Sequence, residues 1–254
     1  MSDILKLNNH EFTSRFLLGT GKFSLDKTAE IINASGTQLV TLALRRANNA
    51  GDANILDMIP SDTVLLPNTS GARSVDEAVR IAHLSRELGC GDFIKIEIIR
   101  DSKYLLPDNN ATVEATRILA AEGFVVLPYV SADLYTARAL KEAGAAAIMP
   151  LAAPIGSNRG LLAKDFIKIL IEEIDLPIIV DAGIGKPSDA CLAMELGASA
   201  CLINTAVASA SDPALMATAF KEAIIAGRNA YLAGLGRVLD KGEASSPLTG
   251  FLND

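Results

Sequence analysis

The chain has 254 residues, 50% hydrophobic and 21% charged, with 19 Gly, 10 Pro, 3 Cys and no Trp, which suits one α/β barrel domain over 1–254 better than two small domains. Lys and Arg number 23 against 30 Asp and Glu, a formal net charge of −7, so no broad basic face awaits nucleic acid or anionic lipid, although a small anionic ligand needs only a few local donors. Cys90, Cys191 and Cys201 form no CxxC pair, the opening MSDILKLNNHEF has no signal-peptide pattern, and no apolar run reaches the ~18 residues of a membrane span; a cytoplasmic protein without a metal site is expected.

From end to end, short β-branched or apolar runs alternate with longer amphipathic stretches, the pattern of βαβ units around a parallel sheet. Strands are predicted at 15–18, 38–44, 63–66, 93–99, 124–129, 146–150, 177–181 and 200–204. Eight strands without a visible nucleotide fingerprint favour a single (β/α)8 TIM barrel over a doubly wound sheet. Over 74–88, Val75, Ala78, Val79 and Ala82 recur at helical spacing behind Ser74, with Glu77 three residues on, which predicts a capping box. Gly89, Gly144 and Gly197 each follow a helical stretch and shortly precede a strand, and are read as helix-ending residues only. Two regions fall outside the alternation: 45–59, with a short helix expected at 54–58, and the tail from about 235, expected to be flexible or ordered by ligand.

A parallel barrel carries its active site at the C-terminal mouth of the strands, so polar residues near strand ends are the informative ones. In the predicted strand at 93–99, Ile94, Ile96 and Ile98 share one face and put Lys95 and Glu97 together on the other, ~6.6 Å apart along the strand. Desolvation inside a barrel lowers a lysine pKa and raises that of a glutamate, while their mutual pairing opposes both shifts. A lysine made partly neutral is a nucleophile for carbonyls, and a carboxyl one pleat away is placed to move the protons of Schiff-base chemistry. A structural ion pair, or a strand at a solvent-facing edge, would give the same pattern.

Asp181 ends an apolar strand and is followed by Ala182-Gly183-Ile184-Gly185, a strand-end carboxylate running into a glycine-bearing loop; capping of that loop is the simpler role. The preceding unit runs from Pro150 into a small-residue loop, 151–160, suited to closing over a ligand. Loops after the last two barrel strands commonly hold phosphate on backbone donors, which makes Gly183, Asn204 and Thr205 phosphate candidates without any flanking lysine. His10, His83, Cys201 and the pair Arg45-Arg46 receive no role: the histidines share no pattern, Cys201 begins its strand, and the arginines read as solvated.

The segments FLLGTGKF, LPNTSGAR, IKIEII, EGFVVLPYV, MPLAAPIGSNRG, PIIVDAGIG and INTAVA, in this order over nearly the whole chain, resemble the thiazole synthases of bacterial thiamin biosynthesis. The sequence departs from many of those proteins at Ser70 and Ala72, where Ala and Cys are frequent, and at Ala152-Ala153, where Gly-Ser is. The resemblance implies a (β/α)8 barrel that condenses 1-deoxy-D-xylulose 5-phosphate, dehydroglycine and sulfur delivered as the C-terminal thiocarboxylate of a ubiquitin-like sulfur carrier protein. It implies Lys95 as the Schiff-base lysine, Glu97 and Asp181 as acid-base carboxylates, and Gly156, Ala182, Gly183, Asn204 and Thr205 as sugar-phosphate contacts. It further implies no cofactor, a homotetramer, and a separate dehydroglycine-producing enzyme, either a glycine oxidase or a tyrosine lyase. A class I aldolase would use the same lysine and phosphate site with no partner protein, and a non-catalytic scaffold barrel would bind a sugar phosphate without a covalent adduct.

Overall fold

The computed structural model describes residues 3–44 and 55–246, so Arg45 and Arg46 lie outside the described residues. The first half runs β1 (Leu5–Leu7), β2 (His10–Phe12), β3 (Phe16–Gly19), α1 (Leu25–Ser35), β4 (Leu39–Ala43), a 3-10 turn at Ile55–Met58, β5 (Val64–Asn68), α2 (Val75–Glu87), β6 (Phe93–Ile96) and α3 (Asn109–Ala121). The second runs β7 (Val125–Val130), α4 (Leu134–Glu142), β8 (Met149–Pro150), α5 (Lys164–Glu173), β9 (Ile179–Val180), α6 (Pro187–Glu195), β10 (Ala200–Ile203), α7 (Thr205–Ala208) and α8 (Pro213–Ala233). Strands β3 to β10 form an eight-stranded sheet in the order β8-β7-β6-β5-β4-β3-β10-β9, every ladder parallel. Parallel bridges from Ile148 to Ile178 and from Leu151 to Asp181 join the two ends, so the sheet closes into the expected (β/α)8 barrel. Among the described residues, no helix is long and apolar enough to cross a membrane.

Strand alternation sorts the core into layers. Leu17, Leu39, Phe93, Leu127, Met149, Ile179 and Leu202 fill the barrel interior, whereas Phe16, Leu18, Val40, Val130 and Ile203 pack outward against the helices. The unpredicted element is the antiparallel hairpin β1–β2: its Leu5, Leu7 and Phe12 join the interior cluster, with Phe12 edge-on to Phe93 at 6.1 Å. Strands of three residues carry too little periodicity to be read, yet they plug the N-terminal end of the barrel and leave the opposite end open.

Helix starts follow the sequence closely. Ser74 accepts a hydrogen bond from the Glu77 amide, but the Glu77 carboxylate reaches back to the Arg73 amide at 2.7 Å, one residue beyond the expected box. Asp108, Asp133 and Asp212 cap α3, α4 and α8 in the same way. Gly89, Gly144 and Gly197 have φ of 79°, 92° and 101°, as helix-ending residues require. Beyond α8, every residue of 235–246 is exposed and none is in a helix or strand.

The plug makes a stability prediction. Phe12→Ala removes a buried ring from the barrel floor and is expected to cost about 3–5 kcal/mol in denaturant unfolding, as large-to-small core substitutions do. A loss under ~1 kcal/mol would show that the floor packs without it.

Candidate active site

At the open end, a cavity of about 370 Å³ is lined by all eight of the residues singled out from the sequence: Lys95, Glu97, Gly156, Asp181, Ala182, Gly183, Asn204 and Thr205. Lys95 points inward because it is in register with Asn68 on β5 and with the interior residue Leu127 on β7. The predicted strand at 93–99 ends its regular ladder at Ile96, and the reason lies opposite. After Asn68 the chain turns, the Ala72 amide donating to the Thr69 carbonyl, and pairing resumes only between Ala72 and Ile98. Across the gap the Thr69 hydroxyl accepts from the Glu97 amide at 2.8 Å and donates to the Glu97 carbonyl at 3.0 Å, so one side chain replaces the missing ladder and keeps Glu97 facing inward.

The charged cluster is tight. Lys95 Nζ donates to Glu97 Oε1 at 2.5 Å and lies 2.8 Å from Asp181 Oδ2, while Asp181 Oδ1 accepts from the Ala182 amide at 2.7 Å. All three side chains are buried. Tyr129 stands beside them, its ring centroid 5.3 Å from Lys95 Nζ and its hydroxyl donating to the Leu105 carbonyl at 3.3 Å. Leu105 lines the cavity from a left-handed backbone, φ 54°, a costly conformation for a bulky residue.

This geometry corrects the expectation of a partly neutral lysine. Burial alone pushes the Lys95 ammonium toward losing its proton, but the charges of Asp181 and Glu97, and the hydrogen bonds they accept, outweigh it and raise the Lys95 pKa above the ordinary lysine value. Burial raises the Asp181 pKa, which Lys95 opposes and Glu97 reinforces, and burial beside both carboxylates raises the Tyr129 phenol as well. The two carboxylates thus favour the ammonium form of Lys95, and burial makes Asp181 a readier proton acceptor than an ordinary aspartate.

The other half of the cavity is built from interlocked loops. The Ala152 amide donates to the Asp181 carbonyl at 2.9 Å and the Gly160 amide to the Gly183 carbonyl at 2.8 Å, which ties the loop at 151–160 to the loop after β9. Gly183 is required twice over: its φ is 79°, and a Cβ there would stand 2.4 Å from the Ala153 Cβ. Ala182 also takes a positive φ, 55°, directly after Asp181. Asn204 follows β10 and packs so close to β3 that a Cβ on Gly19 would lie 2.5 Å from its own. Asn204 lines the cavity, and its Oδ1, itself buried, has no hydrogen-bond partner.

Residues given no role lie elsewhere. His10 packs edge-on to Phe93 at the barrel floor, and exposed His83 pairs with Glu122 at 2.6 Å. Cys201 faces the helices, its Sγ 3.9 Å from Met194 Sδ, and burial raises its pKa. The sequence reading missed Asn68, Thr69, Tyr129 and Lys22. Pro67 ended the predicted strand at 66, although β5 continues to Asn68; Tyr129 read as an ordinary strand aromatic; and Lys22, which lines the cavity, sat inside a segment noted only for resemblance.

A family model described as Thiazole biosynthesis protein ThiG matches residues 6–247. The chain belongs to the thiazole synthase family. Thiazole synthase of Clostridium beijerinckii is 65% identical over 253 residues, covering 99% of this chain and 99% of that protein. The thiazole synthase of Campylobacter jejuni is likewise 65% identical over 253 residues, covering 100% and 98%. Among solved structures, the Amycolatopsis orientalis BexX/CysO complex matches with a TM-score of 0.84 and 37% identity, covering 93% of this chain and 98% of that chain. A 3-hexulose-6-phosphate synthase from Salmonella typhimurium, at 17% identity and a TM-score of 0.59 over 83% of this chain and 98% of that one, shares the barrel fold. The thiazole synthase family makes this chain an enzyme of thiamine biosynthesis and sets aside the aldolase and scaffold readings.

The pairing at Lys95 is directly measurable. Glu97→Gln removes one of two charges that hold the ammonium, so Lys95 should deprotonate at lower pH, and the pH profile of its carbamylation by cyanate should move down. An unshifted profile would contradict the assignment of the raised pKa to these carboxylates.

Proposed function

We propose that this thiazole synthase condenses 1-deoxy-D-xylulose 5-phosphate, dehydroglycine and the sulfur of a carrier-protein thiocarboxylate into a thiazole phosphate carboxylate, through a Schiff base on Lys95. The observation that carries this reading is a buried lysine in contact with two carboxylates, in a cavity that small-residue loops also line.

Lys95 rests as an ammonium, and its proton must leave before the amine attacks. Asp181, whose pKa burial raises, lies 2.8 Å away and is the acceptor. The free amine adds to the ketone carbon of the sugar, and loss of water from the carbinolamine leaves an iminium. That cation acts as an electron sink while a proton leaves the neighbouring sugar carbon, and tautomerisation moves the carbonyl one position along the chain. Glu97 and Asp181 carry these protons. The thiocarboxylate sulfur adds at the new carbonyl, and the acyl group shifts from sulfur to that carbonyl's oxygen and leaves with it as the carrier's carboxylate, so that sulfur stays on the sugar carbon. Loss of the next hydroxyl as water, attack of the sulfur on the dehydroglycine imine carbon and displacement of Lys95 by the dehydroglycine nitrogen close the ring and free the lysine. The phosphate sits among Gly156, Ala182, Gly183, Asn204 and Thr205, which line the cavity together.

The solved relative BexX is in complex with a second protein, CysO, which supports a ubiquitin-like sulfur carrier protein as a partner here. The same family reading extends to a homotetramer in the cytoplasm.

Borohydride reduction with the sugar phosphate should add one dehydrated ketose to the mass of the wild-type protein and none to Lys95→Ala. A full-yield adduct in that variant would remove Lys95 from the mechanism. Glu97→Gln and Asp181→Asn should form the imine without making thiazole, the latter more slowly. Unimpaired thiazole formation in both would make these carboxylates structural.

A further inference from the structure

A dianionic phosphate at this mouth faces an electrostatic difficulty. Among the described residues, the charged side chains lining the cavity are Lys22, Lys95, Glu97 and Asp181. Lys95 is engaged by both carboxylates, so that cluster repels an anion rather than attracting it. Helix α7, which starts at Thr205, has four residues and offers little macrodipole. Backbone amides can orient a phosphate, but among the described residues Lys22 is the cavity-lining cation outside the carboxylate cluster.

We infer that Lys22 is the phosphate-charge partner of the sugar-phosphate site, a positioning residue that selects phosphorylated ketoses. The inference rests on the proposed function and extends it. Lys22 follows β3 in a turn in which the Phe23 amide donates to the Thr20 carbonyl at 3.3 Å, and buried Phe23 anchors the backbone beneath it. From there its side chain crosses the mouth toward the loop after β8. A Cβ on Gly156 would lie 3.7 Å from Lys22 Nζ and 3.9 Å from Thr205 Oγ1. The missing side chain of Gly156 thus leaves a niche flanked by an ammonium and a hydroxyl, a pairing suited to phosphate oxygens. Among the described residues no carboxylate lies in ion-pair contact with Lys22, so its charge is not already engaged by one. Its exposure suits a gripping role, because the side chain is open to an incoming ligand.

Lys22→Gln and Lys22→Arg test this by borohydride trapping with 1-deoxy-D-xylulose 5-phosphate and, separately, with the phosphate-free sugar. The preference of wild-type protein for the phosphorylated ketose should fall roughly 10- to 100-fold in Lys22→Gln, through a higher half-saturating concentration, and be largely restored in Lys22→Arg. An unchanged preference, or equal losses on both sugars, overturns the assignment. Inorganic phosphate binding, read by calorimetry, should weaken in Lys22→Gln but not in Lys22→Arg, and equal affinity in wild type and Lys22→Gln overturns it without any adduct chemistry. Absence of adduct in the wild-type protein instead overturns the Schiff-base reading.

Discussion

A lysine ammonium in the dry interior of a barrel persists only while something answers its charge, and at Lys95 two carboxylates do so. Desolvation of each ion is expensive, and removing one partner strands the others, so the trio behaves as a unit. The arrangement stores a nucleophile in its protected form: the amine cannot react with stray carbonyls while it is held as an ammonium. It also keeps the proton acceptor in contact with the proton to be removed. Two carboxylates against one lysine leave an excess of negative charge, which suits the development of a cationic iminium at the same place.

The rest of the barrel serves that cluster. The β1–β2 hairpin packs its Leu5, Leu7 and Phe12 into the apolar floor, while the parallel register of β5, β6 and β7 aims Lys95 inward. Thr69 repairs the interrupted ladder so that Glu97 follows on the same face. Strand β9 brings Asp181 from the far side of the ring, and Gly183 lets two loops approach closely enough to wall the opposite end of the cavity. Chemistry and ligand grip thus share one mouth, and the end of β9 serves both, Asp181 in the charged cluster and Ala182 and Gly183 in the loop that follows it.

Much of this was legible in the sequence because the barrel writes its pattern in alternation. The isoleucines at 94, 96 and 98 revealed the inward face of β6, and the apolar run before Asp181 marked a strand end; the structure brings those carboxylates to one ammonium. Less legible was anything set by distances between strands. The direction of the Lys95 pKa depends on Asp181 arriving from β9, far away in the chain, and a reading of β6 alone gave desolvation too much weight. Pro67 hid Asn68 and Thr69 because proline ordinarily ends a ladder, and the three-residue strands of the plug were too short to show a period. Lys22 escaped notice because its meaning lies in a niche made by a glycine on another loop.

The central claim is that the Lys95 nitrogen is an ammonium at rest and becomes the imine nitrogen when the ketose phosphate binds. Nitrogen-15 NMR of lysine-labelled protein, with the Lys95 signal assigned by its loss in Lys95→Ala, reads both states on one atom. The account predicts an ammonium signal in the free protein at neutral pH and its replacement by an imine signal on addition of 1-deoxy-D-xylulose 5-phosphate. A neutral amine in the free protein, or an ammonium that persists under saturating sugar phosphate, would contradict it.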